Sequence, residues 1–244
     1  KDDVLKELPK KRRQIVLLDV ADASSIVAAE HAALDFARAQ LDRAREEIAG
    51  LPHAEQVMRL RQCRSIAMTE IARVRKETAL RKLPAAIEQI HDILGNVAKA
   101  VVFSHHHDVM DSIAAEFARI AVSLDGRTSE NGRAEAVGRF QQDRGVRLFL
   151  GGIRAAGLGL TLTAASTVVF VELDWTPAAM MQAEDRLHRI GQHSPVLVQH
   201  LVIDGSIDAK MAKILVGKQA VMDAALDGGA AQSDRDILEE VLRA

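Results

Sequence analysis

Apolar and polar positions follow two rhythms along this chain. Over residues 23–94, Leu34, Leu41 and Ile48 recur every seven positions, as do Ala37, Ala44 and Leu51. That is the spacing of a helical seam. Gly50 and Pro52 interrupt it, and Val57, Leu60, Ala67, Ile71 and Val74 then form the apolar stripe of a second helix running to about Lys82. An antiparallel helical hairpin is the simplest object with this pattern. Pro84 suits the first turn of a further short helix, PAAIEQIHDIL. From Lys99 the rhythm changes. The apolar runs KAVVFS, VSLD, VRLFL, TVVFVEL and VLVQHLV alternate with helical stretches, and QIVLLDV at Gln14–Val20 predicts a leading strand. Strands that read as continuous apolar runs, each followed by a helix, imply a mostly parallel sheet covered on both faces. The expected architecture is a three-layer α/β domain with an inserted helical hairpin. Its parts are a lead-in segment and strand at 1–22, the hairpin at 23–83, the α/β lobe at 84–226 and a C-terminal tail or helix at 227–244.

Composition narrows the class of protein. At 48% apolar residues over 244 positions the chain is expected to be globular. No run approaches the roughly 18 apolar residues of a membrane span. The single cysteine, Cys63, excludes an internal disulfide and a cysteine-based zinc site, and fits a reducing, intracellular compartment. No secretory signal is evident, and a start at Lys1 is expected of a segment of something longer. The net charge of −2 does not advertise a nucleic-acid binder, but the charge is uneven. Between Ala54 and Lys82 stand Arg59, Arg61, Arg64, Arg73, Arg75, Lys76, Arg81 and Lys82 against only Glu55, Glu70 and Glu77. A solvated helix face is the ordinary explanation; contact with phosphate through Arg73, Arg75 and Lys76 is the functional one.

In an open α/β sheet, ligands bind at the carboxyl ends of the strands. The segments there are SHHHD, LDGRTSENG, GGIRAAGLGLTLT and ELDWTP. The glycine turn lacks the third glycine and the following helix of a dinucleotide fingerprint, and no phosphate-loop pattern occurs anywhere. Consecutive residues at a helix start point about 100° apart, so His105, His106 and His107 do not converge on one metal. No metal site is expected. The stretch QAEDRLHRIGQ, residues 182–192, places Gln182, Arg186 and Arg189 at spacings of four and three, one helical stripe, with Gly191 as its stop. Asp174 or Thr176 can cap that helix, and Pro177 suits its first turn. Neutralisation by Glu184 and Asp185 on a solvated face is the plain alternative.

Taken in order, these segments resemble the second RecA-like lobe of Swi/Snf-type superfamily 2 ATPases, the double-stranded DNA translocases. KDDVLKELPKKRRQ resembles the family's entry into this region. KAVVFSHHHDVMDSI resembles motif IV, SLDGRTS the DNA-contacting turn after it, RAAGLGLTLTAASTVVFVELDWTP motif V with its extension, and QAEDRLHRIGQ motif VI. LRKLPAAIEQIHDIL leading into VVFSHHH is most like the annealing-helicase (HepA-related) subgroup. Motif V commonly begins Ser-Thr, and Gly152 and Ile153 stand there instead, so that hydroxyl contact is lacking. The resemblance implies an ATP-driven translocase whose N-terminal RecA-like lobe, upstream in the same polypeptide, holds ATP and Mg2+. It implies arginine fingers at Arg186 and Arg189, nucleotide approach by Gln182, Gly157 and Gly159, and contact with the backbone of double-stranded or branched DNA through Arg127, Thr128, Arg154 and Trp175, plain core filling being the other reading of Trp175. Two rival readings are a catalytically silent binding module of the same fold and a lobe of an RNA helicase. The paired arginines weigh against the first; the GQ after Arg189 and the Trp175 turn weigh against the second.

Overall fold

The computed structural model describes residues 8–155, 159–226 and 241. Six strands form one sheet: β1 (Lys11–Leu17), β2 (Ala100–Ser104), β3 (Ala121–Leu124), β4 (Leu148–Gly152), β5 (Thr167–Phe170) and β6 (Val196–Val202). Their order is β1-β6-β5-β2-β4-β3, and every neighbouring pair is parallel. The helices are α1 (Ala23–Ile48), α2 (His53–Asn96), α3 (His107–Glu116), α4 (Glu130–Gln142), α5 (Pro177–Glu184) and α6 (Ile207–Leu226).

Strand alternation divides the core in two. Val101, Phe103, Phe149, Val168, Phe170 and Val198 point to one face, under Phe140 of α4, Met180 of α5 and Met211 of α6. Ala100, Val102, Leu148, Leu150 and Val169 point to the other, under Ile90 of α2 and Val109 and Ile113 of α3. These are the three layers expected of buried parallel strands.

β1 lies three residues earlier than the apolar run predicts. It is an edge strand, paired only with β6, and its polar positions carry Lys11 and Arg13, whose charges are used in the site below. A larger correction concerns Pro84, which opens no new helix. α2 runs unbroken for 44 residues with Pro84 inside it, so hairpin and lobe share one element across positions 83 and 84. Pro84 removes one backbone donor, but it and Leu80 face solvent, where water can serve the Leu80 carbonyl. Burial of Ala79, Ala86 and Ile90 on the opposite side holds both halves in line.

α1 returns antiparallel along α2: Thr78 meets Glu30, and Arg81, farther along α2, meets Ser25, earlier in α1. The seam buries Leu34, Ala37, Ala44 and Ile48 against Ala67, Ile71 and Val74. No helix among the described residues is long and apolar enough to cross a membrane.

Candidate nucleotide and nucleic-acid site

The carboxyl edge of the sheet gathers the predicted residues. α5 begins where expected: Pro177 occupies its first turn, and the carboxylate of Asp174 accepts the Thr176 N–H at 2.9 Å. It ends earlier than expected, at Glu184 rather than Gly191. Two forces stop it. Glu184, 2% exposed, takes both Nε (2.9 Å) and Nη2 of Arg13 and Lys11 Nζ at 3.0 Å, while Asp185 takes Lys11 at 3.1 Å. Leu187 then buries completely. The backbone tightens into turns, with Leu187 N–H donating to Glu184 O and Arg189 N–H to Leu187 O. Gln182, Arg186 and Arg189 therefore do not share a helical stripe, and the two acids pair with Lys11 and Arg13 of β1, Glu184 buried and Asp185 exposed.

Another device fixes the turn that carries the arginines. Leu162 N–H donates to Arg186 O at 2.9 Å, and Arg189 Nη1 reaches Thr161 Oγ1 at 3.3 Å. The turn carrying both arginines is thus stitched to the loop after β4, the one containing Gly159. Gly159 adopts φ +75°, which favours glycine; Gly157 lies outside the described residues. Arg186 is half-buried, while Arg189 and Gln182 are exposed. Gly191, at φ +97°, turns the chain so that Gln192 enters the core. The Gln192 amide donates to Ala165 O, and its oxygen accepts the His193 and Ser194 N–H groups, both at 3.0 Å. The terminal GQ is thereby an anchor for the arginine turn.

The expected DNA-facing residues follow β5, β4 and β3, with the histidines after β2 standing between them in the strand order. Trp175 follows β5, the histidines follow β2, Arg154 follows β4, and Arg127 and Thr128 follow β3. Three strand spacings make a row of about 14 Å. Carboxylates hold its side chains. Arg127 forks onto Asp111 (3.1 and 2.7 Å) and also meets Asp125 at 2.7 Å; Thr128 Oγ1 accepts the Asp125 N–H. Arg154 reaches Asp174 at 3.0 Å with its side chain 72% exposed. Burial alone would raise the Asp125 and Asp174 carboxyls. Arg127 beside the first, and the Thr176 N–H with Arg154 beside the second, outweigh it and hold both below the ordinary range. Both are ionised at neutral pH.

The three histidines diverge. His106 Nδ1 faces Glu172, His107 Nδ1 faces Asp125 at 3.1 Å, and His105 stands 3.8 Å from Asp174. The backbone N–H groups of His105 and His106 both donate to Glu172, which ties the start of α3 to the end of β5. Among the described residues no group of three or more His, Cys, Asp or Glu side chains is arranged to hold a metal.

Two side chains of the basic stretch behave unlike its count of charges. Arg75, 9% exposed, is turned inward against Asp208, the Leu173 carbonyl and the Trp175 ring. Lys82 is fully buried, donating to Asp208 at 2.8 Å and Leu201 O at 3.0 Å. Neither is presented to phosphate, and Lys76 and Arg73 pair with Asp108 and Glu70. The sequence held one signal for this: Thr78 and Lys82 continue the buried stripe of Ile71 and Val74 at helical spacing.

Residues 84–191 match the helicase conserved C-terminal domain. The chain is 35% identical over 234 residues to the human "DNA annealing helicase and endonuclease ZRANB3", across 93% of this chain and 20% of that protein. It is 30% identical over 231 residues to the Drosophila melanogaster "SWI/SNF-related matrix-associated actin-dependent regulator of chromatin subfamily A-like protein 1". That match covers 91% of this chain and 27% of the fly protein. The chain thus spans about a fifth to a quarter of the curated relatives' length. The C-terminal part of the Fun30 ATPase domain superposes with a TM-score of 0.60 at 16% identity, covering 97% of this chain and 96% of that one. The Sulfolobus solfataricus SWI2/SNF2 ATPase core in complex with dsDNA superposes with a TM-score of 0.57 at 20% identity, across 94% of this chain and 48% of the other.

Proposed function

The chain belongs to the Swi/Snf-type helicase family as its C-terminal RecA-like lobe, and from that premise we propose that it is the second motor lobe of an ATP-driven double-stranded DNA translocase of the annealing-helicase kind. One observation carries the reading: the turn bearing Arg186 and Arg189 is fastened to the glycine loop at Leu162 and Thr161.

Hydrolysis of ATP spreads negative charge over the transferred phosphoryl group, and catalysis is mostly positioning and electrostatic stabilisation of that charge. Arginine suits the task because its planar fork stays charged and grips phosphate oxygens in two places. ATP and Mg2+ belong with the N-terminal RecA-like lobe of the same polypeptide. The carboxylates at this sheet edge, Asp125, Glu172 and Asp174, are already engaged by histidines and arginines and are no cradle for Mg2+. Closure of the two lobes brings Arg186 and Arg189 to the γ-phosphate, with Gln182 beside them and Gly157 and Gly159 allowing close backbone approach. Hydrolysis then depends on closure, and closure on DNA.

Arg127, Thr128, Arg154 and Trp175 face the tracking strand. Their contacts are to phosphate and sugar, because a translocase must accept every sequence. A row of about 14 Å spans roughly four steps of a strand rising 3.4 Å per nucleotide. The carboxylates pre-shape these arginines, and phosphate takes over part of their pairing.

In the two-lobe protein, Arg186→Ala or Arg189→Ala lowers the ATP turnover number by roughly a thousandfold while leaving most ATP affinity with the other lobe. Lysine does not rescue. The lobe alone hydrolyses no ATP. Turnover near the parent rate in either alanine variant refutes the assignment.

A further inference from the structure

The residue that joins the hairpin to the strand-end row is Arg75. It lies on α2, in the basic stretch whose charge suggests a phosphate contact, yet its guanidinium is spent inside the molecule. Nε and Nη2 both reach Asp208 Oδ1, at 3.2 and 2.8 Å. Nη2 also donates to the Leu173 carbonyl at 2.6 Å. The guanidinium lies over the Trp175 ring, its central carbon 4.7 Å from the ring centroid. Leu173 and Trp175 bracket Asp174, the partner of Arg154. One side chain therefore contacts the end of β5, the tryptophan after it and the first turn of α6.

The surroundings leave Arg75 little freedom. The second oxygen of Asp208 takes Lys82 Nζ, which also holds the Leu201 carbonyl of β6. One turn before Lys82, Thr78 donates to Glu30 at 2.5 Å, and Glu30 accepts the Ile207 N–H at 2.6 Å. The base of the hairpin is thus bolted to β6 and α6 by bonds independent of Arg75. Of these residues at the base of the hairpin, Arg75 is the one whose bonds reach the Leu173 carbonyl and the Trp175 ring.

We propose that Arg75 is a positioning residue, which fixes Trp175 at the DNA-facing edge and couples that turn to the hairpin. The proposal rests on the reading of Trp175 as a DNA-side residue. A fork suits the position, because one cation lies over the indole while its N–H groups donate to two separate acceptors, the Asp208 carboxylate and the Leu173 carbonyl. Lysine keeps the charge for Asp208 but cannot stack as a plane.

Trp175 is the sole tryptophan of the chain, so its fluorescence reports the contact directly. Arg75→Lys in this 244-residue chain is expected to keep the parent's far-ultraviolet circular dichroism, shift the emission to the red and at least double the acrylamide quenching constant. Parent-like emission and quenching overturn the placement. In the two-lobe protein the same substitution should lower base pairs moved per ATP at least fivefold. Parallel loss of translocation and hydrolysis makes Arg75 a stability residue only and overturns the coupling role. In a Trp175→Ala background Arg75→Lys should cost no further coupling, and an additive loss overturns the shared route. Trp175→Phe, which keeps a ring beneath the fork, should retain most of the coupling; a collapse equal to that of Trp175→Ala counts against the proposal. If the parent two-lobe protein shows no DNA-stimulated hydrolysis, the motor reading fails and takes the coupling role with it, while fluorescence still decides the placement.

Discussion

His200 is 1% exposed, stacks on Phe170 at 5.3 Å and 12°, and among the described residues has no hydrogen-bond partner at either ring nitrogen. Burial, the dominant cause, pushes its pKa from 6.5 down to about 4. The unfolded chain takes up that proton below pH 6.5, and the folded chain does so only near pH 4. Stability present above pH 6.5 is therefore lost as pH falls toward 4, by about 3 kcal/mol at most. His200→Phe keeps the stack and removes the titration, so urea melts of this variant should be flatter across that window and no less stable at pH 7.5. A second residue-scale expectation concerns Gly191. At φ +97°, alanine costs about 1–3 kcal/mol and displaces the arginine turn, which lower urea midpoints will show. Its glycine was legible in the sequence as a stop, though what it ends is a turn and not a helix. A count of charges could not show Arg75 as turned inward, and for Lys82 the one signal was its place on the buried stripe of Ile71, Val74 and Thr78.

At the scale of elements, the strands were the easiest to read. A parallel strand buried on both faces is a run of apolar residues, and β2, β4 and β6 are little else. Helix ends were harder. α5 stops at Glu184 because Arg13 and Lys11, some 170 positions earlier, capture that carboxylate, and no local pattern encodes a partner so distant. α2 passes through Pro84 because packing on its far side outweighs a lost backbone bond. Pro84→Ala restores the donor to Leu80 and relieves the ring's clash with the preceding turn. It should stabilise the chain by about 1–3 kcal/mol, a rise in melting temperature of several degrees by calorimetry.

In the molecule as a whole, hairpin and lobe meet through buried charge. Burial would raise the Asp208 carboxyl, but Lys82 and Arg75 outweigh it and hold it at about 2. That stability is present above the ordinary carboxylate pKa near 4 and is lost as pH falls toward 2. Lys82→Met leaves Asp208 buried with one partner in place of two and should cost about 3–5 kcal/mol in urea unfolding, with little sensitivity to salt. The family and the sheet were legible from ordered motifs, while this junction was not, since its members lie on α1, α2 and α6 and meet only on folding. The unbroken α2 also sets a rule for how the protrusion can vary in length. One residue inserted beyond Ile71, toward the tip, rotates everything distal by about 100° and slides it about 1.5 Å. Seven restore the facing within about 20°. Hairpins of different length on this lobe should therefore differ by near-whole turns, about 7, 11 or 18 residues, matched in both helices, like threads that engage only at whole turns.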